Sequence, residues 1–158
     1  MDVVELKQVL ARRVSGVAVV TARAGDVVHG MTVSAFTEVS LVPPLVLVCA
    51  DKTSNTHPVI ARGGVFALNV LARDQAVLAD RFASKQNEDR RFVGLEHESG
   101  VTGAPLLAGT VATLDCLVRA AHDAGDHVIY VGEVVDSRRS ERDPLVYWVG
   151  GYRGLSPA

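Results

Sequence analysis

Two adjacent prolines, Pro43 and Pro44, sit in the middle of the most strand-like stretch of this chain and limit what that stretch can become. Proline has a fixed φ and no N–H for a sheet ladder, so no strand or helix runs straight through the pair. Before it, residues 27–36 alternate as a strand does, and residues 36–41 alternate again, with Phe36, Glu38 and Ser40 on one face. After it, residues 45–50 are apolar on both faces and predict a central strand. The prolines therefore make a corner between two strands. Next comes Lys52-Thr53-Ser54-Asn55-Thr56, a polar entry to a helix predicted over 53–61 and closed by Gly63-Gly64. Residues 30–56 thus predict a flat surface with an anion site at one end, a shape that suits a planar, phosphorylated cofactor.

The rest of the chain adds strands and little helix. Val3, Leu6, Leu10 and Val14 recur at helical spacing and predict an N-terminal helix that stops at Ser15-Gly16. Residues 17–21 and 27–33 predict a hairpin around Ala24-Gly25-Asp26. A strand follows over 66–71, then a helix over 75–83 with Asp74 placed to cap it and Val77, Leu78 and Phe82 as its apolar face. Residues 84–99, SKQNEDRRFVGLEHES, are the most polar stretch and predict a surface excursion or lid. Residues 110–121 and 128–135 predict a long hairpin around Ala124-Gly125-Asp126, and 145–149 a last strand. Roughly seven or eight short strands with turn signals between them read as a mainly antiparallel barrel or sandwich.

Composition narrows the classes of function. At 158 residues the whole chain, 1–158, is expected to form one domain. It is 48% hydrophobic with a net charge of −2, which argues against a broad electrostatic grip on nucleic acid. No basic run carries interleaved aromatics, so no base-stacking platform is expected. The longest apolar run is far too short to cross a bilayer, and the first residues carry no signal-peptide core, so the expected location is the cytoplasm with no membrane partner. Cys49 and Cys116 lie in separate strand-like runs and are expected to be reduced, buried thiols.

Familiar catalytic patterns are missing. There is no G-x-G-x-x-G after a strand, no phosphate-binding P-loop and no serine nucleophile elbow. The five histidines are scattered, and no metal site is expected. What remains is a set of hydroxyls: Thr32, Ser34, Thr37, Thr53, Ser54 and Thr56. Hydroxyls with free backbone N–H groups at a helix start hold a phosphate, with Lys52 alongside; the same residues also serve as plain helix caps. Thr32 and Ser34 share one face of a strand, where simple solvent exposure is the other reading. His127, on the tip of the long hairpin in Gly125-Asp126-His127, is either a surface residue or a donor that carries charge near neutral pH.

Taken in order, several segments resemble one family. Residues 16–21 (GVAVVT), 30–36 (GMTVSAF), 43–48 (PPLVLV), 51–54 (DKTS), 66–71 (FALNVL) and 80–83 (DRFA) look like the flavin reductase-like proteins with an FMN-binding split barrel. Residues 103–107 (GAPLL), 125–127 (GDH) and 132–134 (GEV) continue the match across nearly the whole chain. The resemblance is closest to the short-chain reductase components of two-component flavin-dependent monooxygenases. It implies a mainly β fold, a six-stranded antiparallel Greek-key split barrel with a few short helices, in a homodimer. It implies FMN or FAD as cofactor, NADH or NADPH as electron donor, and a separate monooxygenase as partner.

Carried over by position, the resemblance has Thr32, Val33, Ser34 and Ala35 lining the flavin ring. Ala50, Asp51 and Lys52 continue that wall, with Cys49 behind it. Ser54 and Thr56 hold the phosphate, Phe82 packs near the ring or ribityl chain, and Tyr152 reaches the site from the C-terminal end. His127 is the catalytic candidate, beside the nicotinamide. Such a site needs no strong acid or base, because hydride transfer belongs to the cofactors and the protein supplies orientation and electrostatics. The resemblance also leaves room for a flavin-binding protein, or an enzyme that retains its flavin, without turnover of free flavin.

Overall fold

The computed structural model describes residues 1–156. In chain order the elements are α1 (Val3–Leu10), β1 (Ser15–Gly16), β2 (Ala18–Ala24), β3 (Val27–Val33), β4 (Phe36–Leu41), β5 (Pro44–Asp51), α2 (His57–Gly63), β6 (Val65–Val70) and α3 (Ala76–Ala83). After a 3-10 turn at Glu88–Arg90 come β7 (His97–Ser99), β8 (Pro105–Leu107), β9 (Ala112–Ala124), β10 (His127–Arg139), β11 (Val146–Trp148) and β12 (Gly151–Arg153).

The main sheet has seven strands in the order β3-β2-β6-β9-β10-β5-β4, every neighbouring pair antiparallel. Its two edge strands, β3 and β4, are consecutive in sequence and joined only by Ser34 and Ala35. That short link makes the sheet curl until its edges meet. The Cys49 N–H donates to the Ala35 carbonyl (2.9 Å), which carries the β4–β5 pairing one residue into the link, and no ladder joins β3 to β4. The result is a barrel split along one seam, with one strand more than the six expected. Residues 27–36 are accordingly two strands broken at 34–35, where the alternation had read as one.

Both long hairpins form where the Ala-Gly-Asp turns place them, with Gly25 at φ +60° and Gly125 at φ +64°, the left-handed region that glycine enters freely. The diproline corner is a tight reversal in which Leu41 pairs with Pro44. Strand β5 is second from the edge, not central. It buries Val46, Val48 and Ala50 and turns Leu45, Leu47, Cys49 and Asp51 to a half-covered face.

Two cores result. Inside the curled sheet pack Val20, Val48, Phe66, Leu68, Tyr130 and Ile60 of α2. Outside it, α3 lays Ala79 and Phe82 against Val17, Val19, Leu71 and Leu145. Strand β2 is buried on both faces because it separates these cores. Helix α2 starts at His57, later than expected, because Pro58 sets its first turn. Asp74 does not cap α3; it pairs with Arg142, and Gln75 stands at the cap position. Helix α1 ends at Leu10, and none of its side chains is buried.

Gly132 shows how tightly the inner core is filled. A Cβ there would stand 2.5 Å from Phe66 Cζ and 2.9 Å from Cys116 Cβ. We expect Gly132→Ala to lower unfolding free energy by about 1–3 kcal/mol through overpacking, and Phe66→Leu to recover part of that loss in the double variant. Urea denaturation of the three variants checks this; additive losses would show that the two positions do not compete for space.

Candidate functional site

Three stretches meet where the seam of the sheet opens: the exit of β3, the end of β5 and the start of β10. The β5–β10 ladder pairs His127 with Asp51 and Val128 with Ala50. The Ala35–Cys49 hydrogen bond brings the β3 exit against the same strand end. Between them lies a cavity of about 280 Å³ lined by Met31, Thr32, Val33, Ser34, Ala35, Cys49, Asp51 and His127. The structure thus gathers residues 31–35, two side chains of β5 and the hairpin histidine into one concavity. Ser34 and Ala35 lie beyond the last β2–β3 ladder pair and edge the cavity, with the Ala35 carbonyl taken by the Cys49 N–H.

The polar residues after β5 stitch this corner together. The Lys52 Nζ donates to the Gly125 carbonyl (2.7 Å) and pairs with Asp123, while the Lys52 N–H donates to the Asp126 carbonyl (3.0 Å). Lys52, expected along the ring wall, thus clamps the β9–β10 turn, which sets the height of His127. The Asp51 carboxylate accepts the Thr53 N–H (2.7 Å) and the Thr53 hydroxyl (2.8 Å), and these bonds hold its pKa below the usual carboxylate value. His127 Nδ1 lies 2.7 Å from Asp126 Oδ1, so Nδ1 is the ring nitrogen that donates to this carboxylate and Nε2 is left for a ligand.

A second cavity of about 250 Å³ flanks Thr32, Val33 and Ser34 and is completed by Val17, Ala83, Tyr147 and Tyr152. The Tyr152 hydroxyl donates to Asp80 (3.0 Å), and burial followed by that bond pushes the phenol up to about 12. Its ring meets Tyr147 edge-on at 5.7 Å. The Thr32 hydroxyl donates to the Ala79 carbonyl (2.5 Å), which pins the shared wall to α3. Each cavity alone is near the small end for ligand pockets, roughly 300 Å³. With a common wall of backbone edges and apolar side chains, they fit planar aromatic groups.

Other expected residues lie elsewhere. Ala50 is fully buried and faces the inner core. Phe82 is buried beneath Gly30, whose missing Cβ leaves room for the ring at 2.9 Å; it supports the wall and touches neither cavity. Thr56 is fully buried, and its hydroxyl lies 2.7 Å from His29 Nδ1. The Ser54 hydroxyl accepts the His57 N–H (3.1 Å). Of the two hydroxyls expected at a phosphate, Thr56 faces inward and Ser54 stands part-buried at the helix start. Cys49 is half-buried on the cavity wall, while Cys116 is fully buried.

One cluster has no counterpart among the expected site residues. The Glu88 carboxylate accepts from Asn55 Nδ2 (2.8 Å) and lies 3.3 Å from His29 Nε2 and 3.5 Å from Arg91 Nη2. Burial, then the Arg91 charge, lowers the His29 pKa, so the ring is neutral at pH 7: Thr56 donates to Nδ1 and Nε2–H faces Glu88. Arg91, only 4% exposed, donates to the Gly30 carbonyl (2.7 Å) and to that of Ser84. Its one sequence signal is the i,i+3 spacing of Glu88 and Arg91 inside the polar stretch.

Comparison with known proteins gives one family across nearly the whole chain. Residues 10–156 match the family described as the flavin reductase like domain. A protein described as FMN reductase (NADH) SmoA, of Agrobacterium fabrum, is 43% identical over 142 residues, covering 90% of this chain and 80% of its own. The reductase subunit HsaB of a flavin-dependent monooxygenase from Rhodococcus jostii is 35% identical over 158 residues, covering 99% and 80%. The solved NADH:FAD oxidoreductase SgcE6 of Streptomyces globisporus, in complex with NAD and FAD fragments, superposes with a TM-score of 0.92 at 37% identity, over 99% of this chain and 94% of that one.

The thiols report on the first cavity. Alkylation requires the thiolate, and burial pushes Cys116 up to about 12. Iodoacetamide at mildly alkaline pH should label Cys49 slowly and Cys116 not at all until denaturant is added, and a ligand seated in the cavity should protect Cys49. Peptide mass spectrometry reads this; labelling of native Cys116 would contradict the packing.

Proposed function

Since the chain belongs to the flavin reductase-like domain family, we propose that it transfers hydride from NAD(P)H to FMN or FAD and supplies the reduced flavin to a separate monooxygenase. It is an oxidoreductase, an NADH-dependent flavin reductase. The observation that carries the reading is the cavity at the seam, where the open backbone of residues 32–35 faces His127 across Cys49 and Asp51.

The residues divide the work by chemistry. When bound, the nicotinamide provides the hydride and the flavin ring receives it. Ser34 and Ala35 offer peptide N–H groups that favour negative charge on the acceptor ring. Met31, Val33 and the half-buried Cys49 give an apolar wall and exclude water. Asp126 orients His127 so that Nε2 meets the donor, and the Lys52 clamp holds the hairpin that carries it. Tyr147 and Tyr152, in the second cavity, supply aromatic faces beside the shared wall. No step requires a strong acid or base.

The same reading includes a homodimer in the cytoplasm. Helix α1 supports the dimer: its apolar residues are uncovered, Val3 at 63% and Leu10 at 56% exposure, with none buried. An apolar stripe of this kind calls for a partner surface, and a second copy is the simplest one. Among the described residues, no helix is long and apolar enough to cross a membrane.

Purified protein should oxidise NADH when free FMN, FAD or riboflavin is added, followed by loss of nucleotide absorbance. No turnover with any of the three flavins and either nucleotide would sink the reading. His127→Ala should lower kcat/KM for the nucleotide roughly ten- to a hundredfold. Val3→Glu with Leu10→Glu should shift sedimentation from dimer to monomer; an unchanged sedimentation coefficient would remove α1 from the interface.

A further inference from the structure

A third cavity, of about 290 Å³, lies apart from the seam, between the β7–β8 hairpin and the far end of the β9–β10 pair. One wall belongs to a cross-strand row on the main sheet. Asn69 of β6, Thr113 of β9 and Arg138 of β10 stand opposite one another and so share a face. The outer two members are satisfied. The Asn69 side chain donates to the Val19 carbonyl (3.0 Å) and the Thr21 hydroxyl (3.1 Å) and accepts the Leu107 N–H (2.8 Å). Arg138 donates to Glu98 of β7 (2.8 Å). Thr113, between them, lines the cavity at 6% exposure, and its hydroxyl has no hydrogen-bond partner among the described residues. A buried hydroxyl left unpaired is costly, so this position calls for a polar atom from outside the chain.

The surroundings set the chemistry of that atom's owner. Leu106 and Leu107 are buried along the cavity and give it an apolar side. Acidic and basic side chains balance around it, Glu96 and Glu98 against Arg138 and Arg139, so it offers no surplus charge to an ion. Arg138 is already given to Glu98 and lies 3.9 Å from Asp136. The Ser140 and Thr110 hydroxyls donate to backbone carbonyls, at 2.9 and 3.4 Å, which leaves Thr113 as the inner polar contact. The space far exceeds the roughly 30 Å³ share of a single water and is close to the small end of ligand pockets. His127 and Arg138 stand near opposite ends of β10, roughly 36 Å of strand apart, so the cavity is separate from the seam.

We propose that this cavity is a second ligand site, for a small uncharged molecule with an apolar body and one hydroxyl. The hydroxyl meets Thr113 Oγ1, which both donates and accepts, and the body lies against Leu106 and Leu107. The site goes beyond the proposed function and involves no hydride chemistry. A ligand here bridges the β7–β8 hairpin and the main sheet, which are otherwise joined near this point by the Arg138–Glu98 pair and the Asn69–Leu107 hydrogen bond.

Phenol is the probe, and toluene is its counterpart without the hydroxyl. Backbone amide NMR shifts followed during titration give a dissociation constant for each. Phenol should shift Ala108 and Thr113 and leave Ser34, Ala35 and His127 in place. Thr113→Val keeps the shape and removes the hydroxyl; phenol should then bind roughly tenfold more weakly while toluene loses nothing. Thr113→Ser, which retains the hydroxyl, should keep phenol binding within about threefold of the original. A cooperative thermal transition in each variant shows that it folds. Shifts confined to the seam residues, an equal loss for phenol and toluene in Thr113→Val, or no shift at Thr113 up to about 10 mM phenol would overturn the site and leave that hydroxyl to solvent alone.

Discussion

Two residues, Ser34 and Ala35, must carry the chain from one edge of a seven-stranded sheet to the other. A flat sheet would separate those edges by six inter-strand spacings of roughly 4.8 Å each, far beyond what two residues reach. The sheet therefore has to curl. Curling encloses the inner core of Val20, Val48, Phe66 and Tyr130 and leaves a seam where the edges approach without a ladder. Peptide groups that no ladder consumes are then concentrated at one place. The candidate site occupies that place for the same reason that it exists.

Polar groups tie the neighbourhood of the seam to distant segments. Lys52 ties the end of β5 to the β9–β10 turn, Thr32 ties the wall to α3, and Arg91 ties Gly30 to the polar stretch. Further round the sheet, Asn69 bonds Val19, Thr21 and Leu107, and the buried Asp115 accepts the Thr102 N–H and hydroxyl. Buried polar groups in such networks cost little while every member is paired and a great deal when one partner is lost. Order around the site therefore depends on a few specific bonds that cross between distant segments.

Much of this was readable in the sequence, and the limits have physical causes. The Ala-Gly-Asp turns, the diproline corner and the alternation of β4 are local, so they announced the hairpins directly. The ordered motifs from Gly16 to Val134 carried the family, and residues 31–35 with His127 do share one cavity. Strands β1, β7, β8 and β12 are two or three residues long, too short for a local pattern to mark them, and β1 pairs with β11 far along the chain. Asp74 looked like a helix cap because its competing partner, Arg142, lies far along the chain. Thr56 looked like an open hydroxyl because nothing near it in sequence reveals that His29 reaches it. Charge spacing hinted at Glu88 and Arg91; their convergence with His29 and Asn55 is a product of the curl.

The two Ala-Gly-Asp turns have identical sequences and opposite situations. Around Gly25 a side chain would meet nothing within 4 Å, and the exposed turn side chains take no part in the hydrogen bonding described above. Around Gly125 the glycine is equally open, yet its carbonyl and that of Asp126 receive Lys52. The first turn is consequently a place where the chain can be lengthened, tagged or cut and rejoined without consequence for ligand geometry. The second is a fixed-length strut: one residue more or fewer would slide His127 along its strand relative to Asp51. Variation in loop length among related sequences should be lopsided, free at the first Ala-Gly-Asp and nearly forbidden at the second.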